Sequence, residues 1–181
     1  LVTNAPLARD KRVHGISNDD LGRENNAWLA VENGKVHSYG TGTPGPAVAA
    51  FSTVDAQGGL VMPGLVDSHT HPLFGGSRAH EFARRLDGAT YQEIAAAGGG
   101  IQSTVRDTRN ASDSELLELL QNRSRRQARL GITTLEVKSG YGLSCAEELR
   151  HLRLLNKLKA SASQDLSITC LALHAASPEH E

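Results

Sequence analysis

Asp67, His69 and His71 alternate along Leu60-Val61-Met62-Pro63-Gly64-Leu65-Val66-Asp67-Ser68-His69-Thr70-His71. In an extended strand alternate side chains share a face, and with a rise of roughly 3.3 Å per residue two imidazoles about 7 Å apart can converge on one ion. A His-x-His pair also arises by chance in a chain with 8 His, so the spacing alone leaves a metal pair and two ordinary histidines equally open. Position adds weight to the first reading, because the pair lies at the polar end of an apolar run, where α/β folds place their chemistry. Four other residues stand where chemistry is feasible. Arg78 follows Gly75-Gly76, and a guanidinium there can grip a carboxylate or a ring oxygen with a fork that lysine lacks. The other reading of Arg78 is a rim salt bridge. Tyr141 is a phenol held between Gly140 and Gly142. Tyr91 is a further candidate of that kind, and both are alternatively packing aromatics. His174 closes a third apolar stretch.

The elements that must hold these residues follow from pattern. The apolar run before Asp67, broken by Pro63-Gly64, reads as a strand buried on both faces. Ser112-Asp113-Ser114-Glu115 is a capping box opening a helix whose stripe (Leu116, Leu117, Leu119, Leu120, Ala128, Leu130) runs to a stop at Gly131. Ile132 to Val137 is a β-branched second strand, Ser144-Cys145-Ala146-Glu147 opens a helix reaching about Ala160, and Asp165 to Leu173 is a third strand ending at His174. Alternating strands and helices predict βαβ units and a parallel sheet, for which a doubly wound sheet and a barrel are both open at this point. Upstream, Asn33-Gly34 between Trp28–Val31 and Lys35–Tyr39 predicts a hairpin with a type I′ turn, and Phe51 to Ala56 a further strand. Residues 1–58 therefore read as a small β unit and 59–181 as an α/β unit. Residues 1 to about 26 are polar, with loop signals at Asn18-Asp19-Asp20 and Glu24-Asn25-Asn26.

Between His71 and Ser112 the pattern is mixed and reads as a long loop shaping a site, with a short helix from Tyr91 to Ala97. Gly98-Gly99-Gly100 suggests a phosphate cradle, but no Gly-Lys-Ser/Thr follows, so a P-loop is rejected. Arg106 and Arg109 read as exposed cations, and Arg123-Ser124-Arg125-Arg126 as a solvated helix face. His14 and His37 read as surface histidines; His80, His151 and His180 match no motif, and His151, beside Arg150 and Arg153, reads as exposed.

Composition narrows the function classes. Of 181 residues 39% are hydrophobic and the net charge is −1, which suits a globular chain with a substantial core and gives no electrostatic case for nucleic acid or a membrane surface. Two cysteines, Cys145 and Cys170, are too few for a disulfide framework, and a reducing cytoplasm is the simplest location. No 18-residue apolar run and no charged-then-apolar leader is present, so no membrane or secretory segment is expected.

Pro63 to His71 resembles the first-strand signature of the amidohydrolase superfamily. Five further motifs in order (Phe74–Arg78, Gly88–Tyr91, Ala97–Ile101, Thr108–Ser112, Lys138–Leu143) are similar to the imidazolonepropionase family within it. The resemblance runs from about Gly59 to the end. It implies a (β/α)8 TIM barrel, of which only about the first three strands are present, beside a small N-terminal β-sandwich. It implies His69 and His71 as ligands of one transition-metal ion, zinc or iron with nickel open, which lowers the pKa of bound water to roughly 7. Asp67 then serves an outer hydrogen bond or a purely structural one. Arg78, Tyr141, His174 and, less directly, Tyr91 become substrate-binding residues for 4-imidazolone-5-propanoate, opened to N-formimino-L-glutamate. His174 departs from the family in its flanks, Leu173 and Ala176-Ser177, and a role as third metal ligand stays open. Lys138 invites comparison with the carbamylated lysine of two-metal relatives, but it ends the second strand rather than the fourth, so one metal is expected. The remaining ligands and the Glu acid/base are expected beyond Glu181. From Gly59 only 181 − 58 = 123 residues remain, against about 200 or more for a barrel, so the piece alone is expected to be inactive. Another amidohydrolase acting on a purine or pyrimidine ring, a non-catalytic protein of the same fold, and a homodimer are the open alternatives.

Overall fold

A computed structural model describes residues 22–46, 48 and 52–177. The loop at Asn18–Asp20, His14, His180 and the possible strand residue Phe51 lie outside that range. The chain divides into two compact units, Leu1–Pro63 and Gly64–Glu181.

In the first unit, strands β1 (Ala27–Glu32) and β2 (Lys35–Thr41) pair antiparallel. Asn33 (φ 52°) and Gly34 (φ 73°) both occupy the left-handed region, as a type I′ turn demands. His37 is exposed, as expected. The strand expected over Phe51–Ala56 is absent from residues 52–56, where Val54 is 91% exposed. Among the described residues, 52–56 join neither sheet, and a lone extended run has no stability in water.

The second unit is a mixed α/β arrangement around a three-stranded parallel sheet of order β3-β4-β5, with β3 Leu65–Thr70, β4 Ile132–Lys138 and β5 Asp165–Thr169. Helices α4 (Asp113–Arg129) and α5 (Cys145–Lys159) cross between the strands and pack against β4 and β5. Ser112 and Ser144 cap them by accepting from the N–H groups of Glu115 and Glu147 at 3.2 and 3.3 Å. Leu116 and Leu120 of α4, Leu154, Leu155 and Leu158 of α5, and Leu135, Val137 and Leu166 of the sheet form one core with Leu73 and Ala111. Burying each such leucine contributes about 2 kcal/mol.

Three expectations change. Leu60–Val66 is not a strand buried on both faces: Leu60 to Gly64 is irregular, and Leu65 and Val66 are 47% and 68% exposed. Among the described residues β3 stands at the sheet edge, paired with β4, and the helix packing is centred on β4 and β5. The stretch after His71 is not one long loop. It holds α1 (Ala79–Leu86), α2 (Tyr91–Ala96) and α3 (Ile101–Asn110), with a complete capping box of Thr90 and Glu93 opening α2. β5 ends at Thr169, so His174 sits in a turn beyond the strand. Among the described residues no helix is long and apolar enough to cross a membrane.

Candidate active site

His69 and His71 leave the C-terminal end of β3 with their ring centroids 5.5 Å apart. The Asp67 carboxylate accepts the His69 backbone N–H at 3.3 Å, and Thr70 Oγ1 donates to the Glu136 carbonyl at 2.6 Å, fixing the strand end against β4. The loops after β4 and β5 close over these histidines. His174 stacks on His71 (centroids 4.4 Å, planes 15° apart), and Tyr141 lies 5.5 Å from His71 and 5.3 Å from His174. Phe74 meets the Tyr141 ring edge-on at 6.2 Å. Residues from three successive strand ends thus form one ring cluster.

The backbone explains how. Ser139, buried, donates its N–H to Thr169 O at 3.0 Å and accepts the Leu171 N–H on Oγ at 3.1 Å, so the two loops are tied together. Gly140 has φ 126°, and a Cβ there would lie 2.9 Å from His174 Cβ and Nδ1. Only glycine gives the left-handed turn and the close passage under His174. Beyond Tyr141, Glu148 Oε1 accepts the N–H groups of Gly142 and Leu143 at 2.8 and 2.9 Å, while Arg109 Nε donates to the Gly142 carbonyl at 2.8 Å. The phenol is held from both sides.

Burial lowers the His71 pKa, helped by His174, His69 and Lys138 and opposed in part by the Ser139 backbone. The ring is therefore neutral at physiological pH, the form in which imidazole binds metal. Its buried Nδ1 and that of His174 have no hydrogen-bond partner among the described residues. A metal donor set needs such atoms, and the unpaired Nδ1 of His71, with the His69 ring 5.5 Å away, fits an imidazole-bound ion. No group of three or more His, Cys, Asp or Glu able to hold an ion occurs among the described residues. Burial also raises the Tyr141 pKa, with Arg78 pulling the other way, and the phenol remains a hydrogen-bond donor. Lys138 is ion-paired with Glu136, whose carboxylate also accepts from Thr169 Oγ1 at 2.7 Å. Those two hydrogen bonds hold the Glu136 pKa down.

Beside the rings lies a cavity of about 390 Å³ lined by Phe74, Gly75–Arg78, Thr104, Asp107, Arg123 and Tyr141, a size suited to a small metabolite. Arg78 and Tyr141 share it. Tyr91 does not line it: this residue opens α2, is 57% exposed, and turns its hydroxyl toward Gly100.

Three residues, Arg123, Arg109 and His151, need a different account from the one their sequence context suggests, and Glu81 was not singled out at all. Arg123 is no solvated cation: its Nη1 donates to the Pro72 and Phe74 carbonyls at 2.8 and 2.7 Å, and the guanidinium lies 3.4 Å over the Phe74 ring. The signal was its place three residues after Leu120 and seven after Leu116, on the buried face. Arg109 is likewise engaged, whereas Arg106 stays largely exposed, near Asp107. His151 is wholly buried, on the face of α5 that carries Leu154, Leu155 and Leu158. Glu81, three residues after Arg78, is 3% exposed and bonds its Nε at 2.7 Å.

The family model described as amidohydrolase family matches residues 52–110. A relative named imidazolonepropionase from Idiomarina loihiensis is 43% identical over 176 residues, covering 97% of this chain and 41% of its own length. Two more of that name, from Klebsiella pneumoniae strain 342 and K. pneumoniae subsp. pneumoniae, are 47% and 52% identical over 84% and 74% of this chain, and 37% and 33% of their own lengths. The chain spans about two fifths of the length of the curated relatives it matches. On the strength of these matches, the chain is similar to the amidohydrolase family over residues 52–110 and to the N-terminal portion of the proteins named imidazolonepropionase.

Proposed function

We propose that the full polypeptide containing this chain hydrolyses 4-imidazolone-5-propanoate to N-formimino-L-glutamate, a step of histidine breakdown. The observation that carries the reading is the cluster of His71, His174 and Tyr141 beside a cavity lined by Arg78. The relatives' shared name supports it.

His69 and His71 are the ligands this chain offers to a transition-metal ion, zinc or iron with nickel as a further fit to imidazole donors. Such an ion supplies Lewis-acid activation of water and of the ring carbonyl. The rest of the chemistry falls to side chains. Arg78 binds the substrate's carboxylate or ring oxygen, Tyr141 donates a hydrogen bond from its protonated phenol, and His174 lies against the ring; together they hold the scissile C–N bond in place. Water adds to the carbonyl carbon, the C–N bond breaks, and the ring nitrogen leaves with a proton from a general acid. That acid, a Glu, and the remaining ligands belong to the part of the polypeptide beyond Glu181. Lys138, paired with Glu136, is a structural ammonium rather than a bridging ligand, in keeping with a one-metal site. β3, β4 and β5 are then the first three strands of an eight-stranded barrel, and the β1–β2 hairpin part of a small β-sandwich domain whose boundary lies near residue 58. A cytoplasmic location goes with this role.

The test is turnover. The full-length polypeptide, metal-loaded, is expected to open 4-imidazolone-5-propanoate and to leave guanine and cytosine untouched. Deamination of either base without ring opening would transfer the site to the aminohydrolases, and a protein inert on all three would make it a non-catalytic relative.

A further inference from the structure

The Gly98-Gly99-Gly100 run has the look of an anion cradle, and it does cradle an anion: the carboxylate of Glu81. Gly100 donates its N–H to Glu81 Oε1 at 2.9 Å. A Cβ at Gly99 would lie 2.7 Å from the same oxygen, and Gly100 has φ 71°, so the turn can approach the carboxylate only as glycine. The other oxygen, Oε2, accepts from Arg78 Nε at 2.7 Å. Burial opposes ionisation of Glu81, but Arg78 and the Gly100 N–H outweigh it and hold its pKa below the usual carboxylate value. Arg78 is thus gripped through Nε by a buried, charged acceptor. Its Nη nitrogens carry no hydrogen bond to a described residue, and the side chain is 41% exposed where it lines the cavity with Tyr141. A guanidinium anchored at Nε presents its two Nη groups end-on, the geometry that takes both oxygens of a carboxylate.

We infer that Glu81, seated in the Gly98–Gly100 turn, is a positioning residue that fixes the Nη pair of Arg78 and so sets the site's preference for a ligand bearing a carboxylate. The inference rests on the proposed substrate-binding role of Arg78 and deepens it. Without Glu81 the long Arg78 side chain samples several rotamers, and a carboxylate must order it on binding. A neutral ligand, which does not use the guanidinium fork, loses nothing by that freedom.

The experiment measures binding of imidazole-4-propanoate and of its uncharged propanamide to the full-length metal-loaded polypeptide, alongside turnover of 4-imidazolone-5-propanoate. The unsubstituted protein is expected to bind the propanoate more tightly than the amide. Glu81→Gln is expected to weaken propanoate binding about tenfold, to leave amide binding within about twofold, and to raise KM with little change in kcat. Glu81→Asp, one methylene short of reaching both partners, is expected to fall between, and it serves where the Gln variant does not fold. In an Arg78→Lys background, which has no Nε to hold, Glu81→Gln is expected to add less than about twofold. Equal weakening of both ligands, an unchanged propanoate affinity, or no preference in the unsubstituted protein each overturns the inference. Selective propanoate binding without turnover would instead defeat the proposed function while leaving the role of Glu81 standing.

Discussion

Arg123→Met removes the cation that joins helix α4 to the segment between the His69–His71 strand and Arg78. Nη1 of Arg123 serves two carbonyls, those of Pro72 and Phe74, and the guanidinium lies flat on the Phe74 ring. A hydrogen bond from a charged donor is worth about 1.5–3 kcal/mol, and leaving its acceptor unpaired in a half-buried place costs a similar amount. One nitrogen shared by two acceptors does not deliver both in full, so about 2–3 kcal/mol is reasonable for the pair. The cation–π contact adds about 0.5–1 kcal/mol at a partly exposed site. Methionine keeps the aliphatic packing, and the expected loss is about 3 kcal/mol. Burial lowers the Arg123 pKa, but guanidinium stays charged at any relevant pH, so the effect is expected to be flat with pH. Equilibrium urea unfolding of the full-length polypeptide reads the loss from the shift in midpoint at constant slope. KM is expected to rise as well, because Phe74 and Arg78 line one cavity. Arg123→Lys keeps the charge without the flat stack and is expected to recover only part of the loss. A Met variant within about 1 kcal/mol of the parent, with unchanged KM, would refute the reasoning.

Arg78→Lys and Tyr141→Phe are each expected to lower kcat/KM about ten- to a hundredfold with metal content unchanged; normal efficiency in both would make them packing residues. Gly140→Ala, whose Cβ would meet His174 at 2.9 Å on a φ of 126°, is expected to displace that ring and cut turnover at least tenfold, with a stability loss of about 1–3 kcal/mol measured in urea. His151 has its pKa lowered chiefly by burial, against the pull of Glu148 and Glu147, and both ring nitrogens lack hydrogen-bond partners among the described residues. Its unfolded form takes up a proton near pH 6.5 and its folded form only at lower pH, so its contribution to stability is present above about 6.5 and lost as pH falls through the folded pKa. Melting temperatures at pH 7 and 5 are expected to differ less in His151→Leu than in the parent, and an equal drop would contradict this.

Local chemistry made much of the fold legible. Asn33-Gly34 specified its turn, Ser112 and Ser144 their helices, and Gly131 (φ 85°) the end of α4, because each acts through bonds within a few residues. What sequence could not convey was which faces would be covered. The run at Leu60–Val66 is apolar enough for a core strand, but among the described residues β3 pairs with β4 alone and Leu65 and Val66 are exposed, because what covers a strand face comes from elsewhere in the fold. His151 beside Arg150 and Arg153 looked solvated, but neighbours in sequence lie on different helix faces, and its register with Leu154, Leu155 and Leu158 was the better guide. Arg123 misled for the same reason. At the site, His69, His71, Tyr141 and His174 were legible as candidates because each lies at or beyond the C-terminal end of a strand-like run, and the structure brings their rings together. Glu81, Ser139 and Glu148 were not singled out, since they work by holding a partner's backbone or guanidinium rather than by any reactivity their type announces. Only the Arg78-x-x-Glu81 spacing hinted at one of them.

The central claim is that His69 and His71 hold the ion on which ring opening depends. It is tested most directly by replacing both with alanine in the full-length polypeptide, then measuring bound transition metal by elemental analysis and turnover of 4-imidazolone-5-propanoate on the same sample. Loss of two imidazole ligands is expected to remove most of the metal and nearly all turnover together, with the far-ultraviolet circular dichroism of the parent retained. A doubly substituted protein that keeps its full complement of metal and its activity would contradict the account.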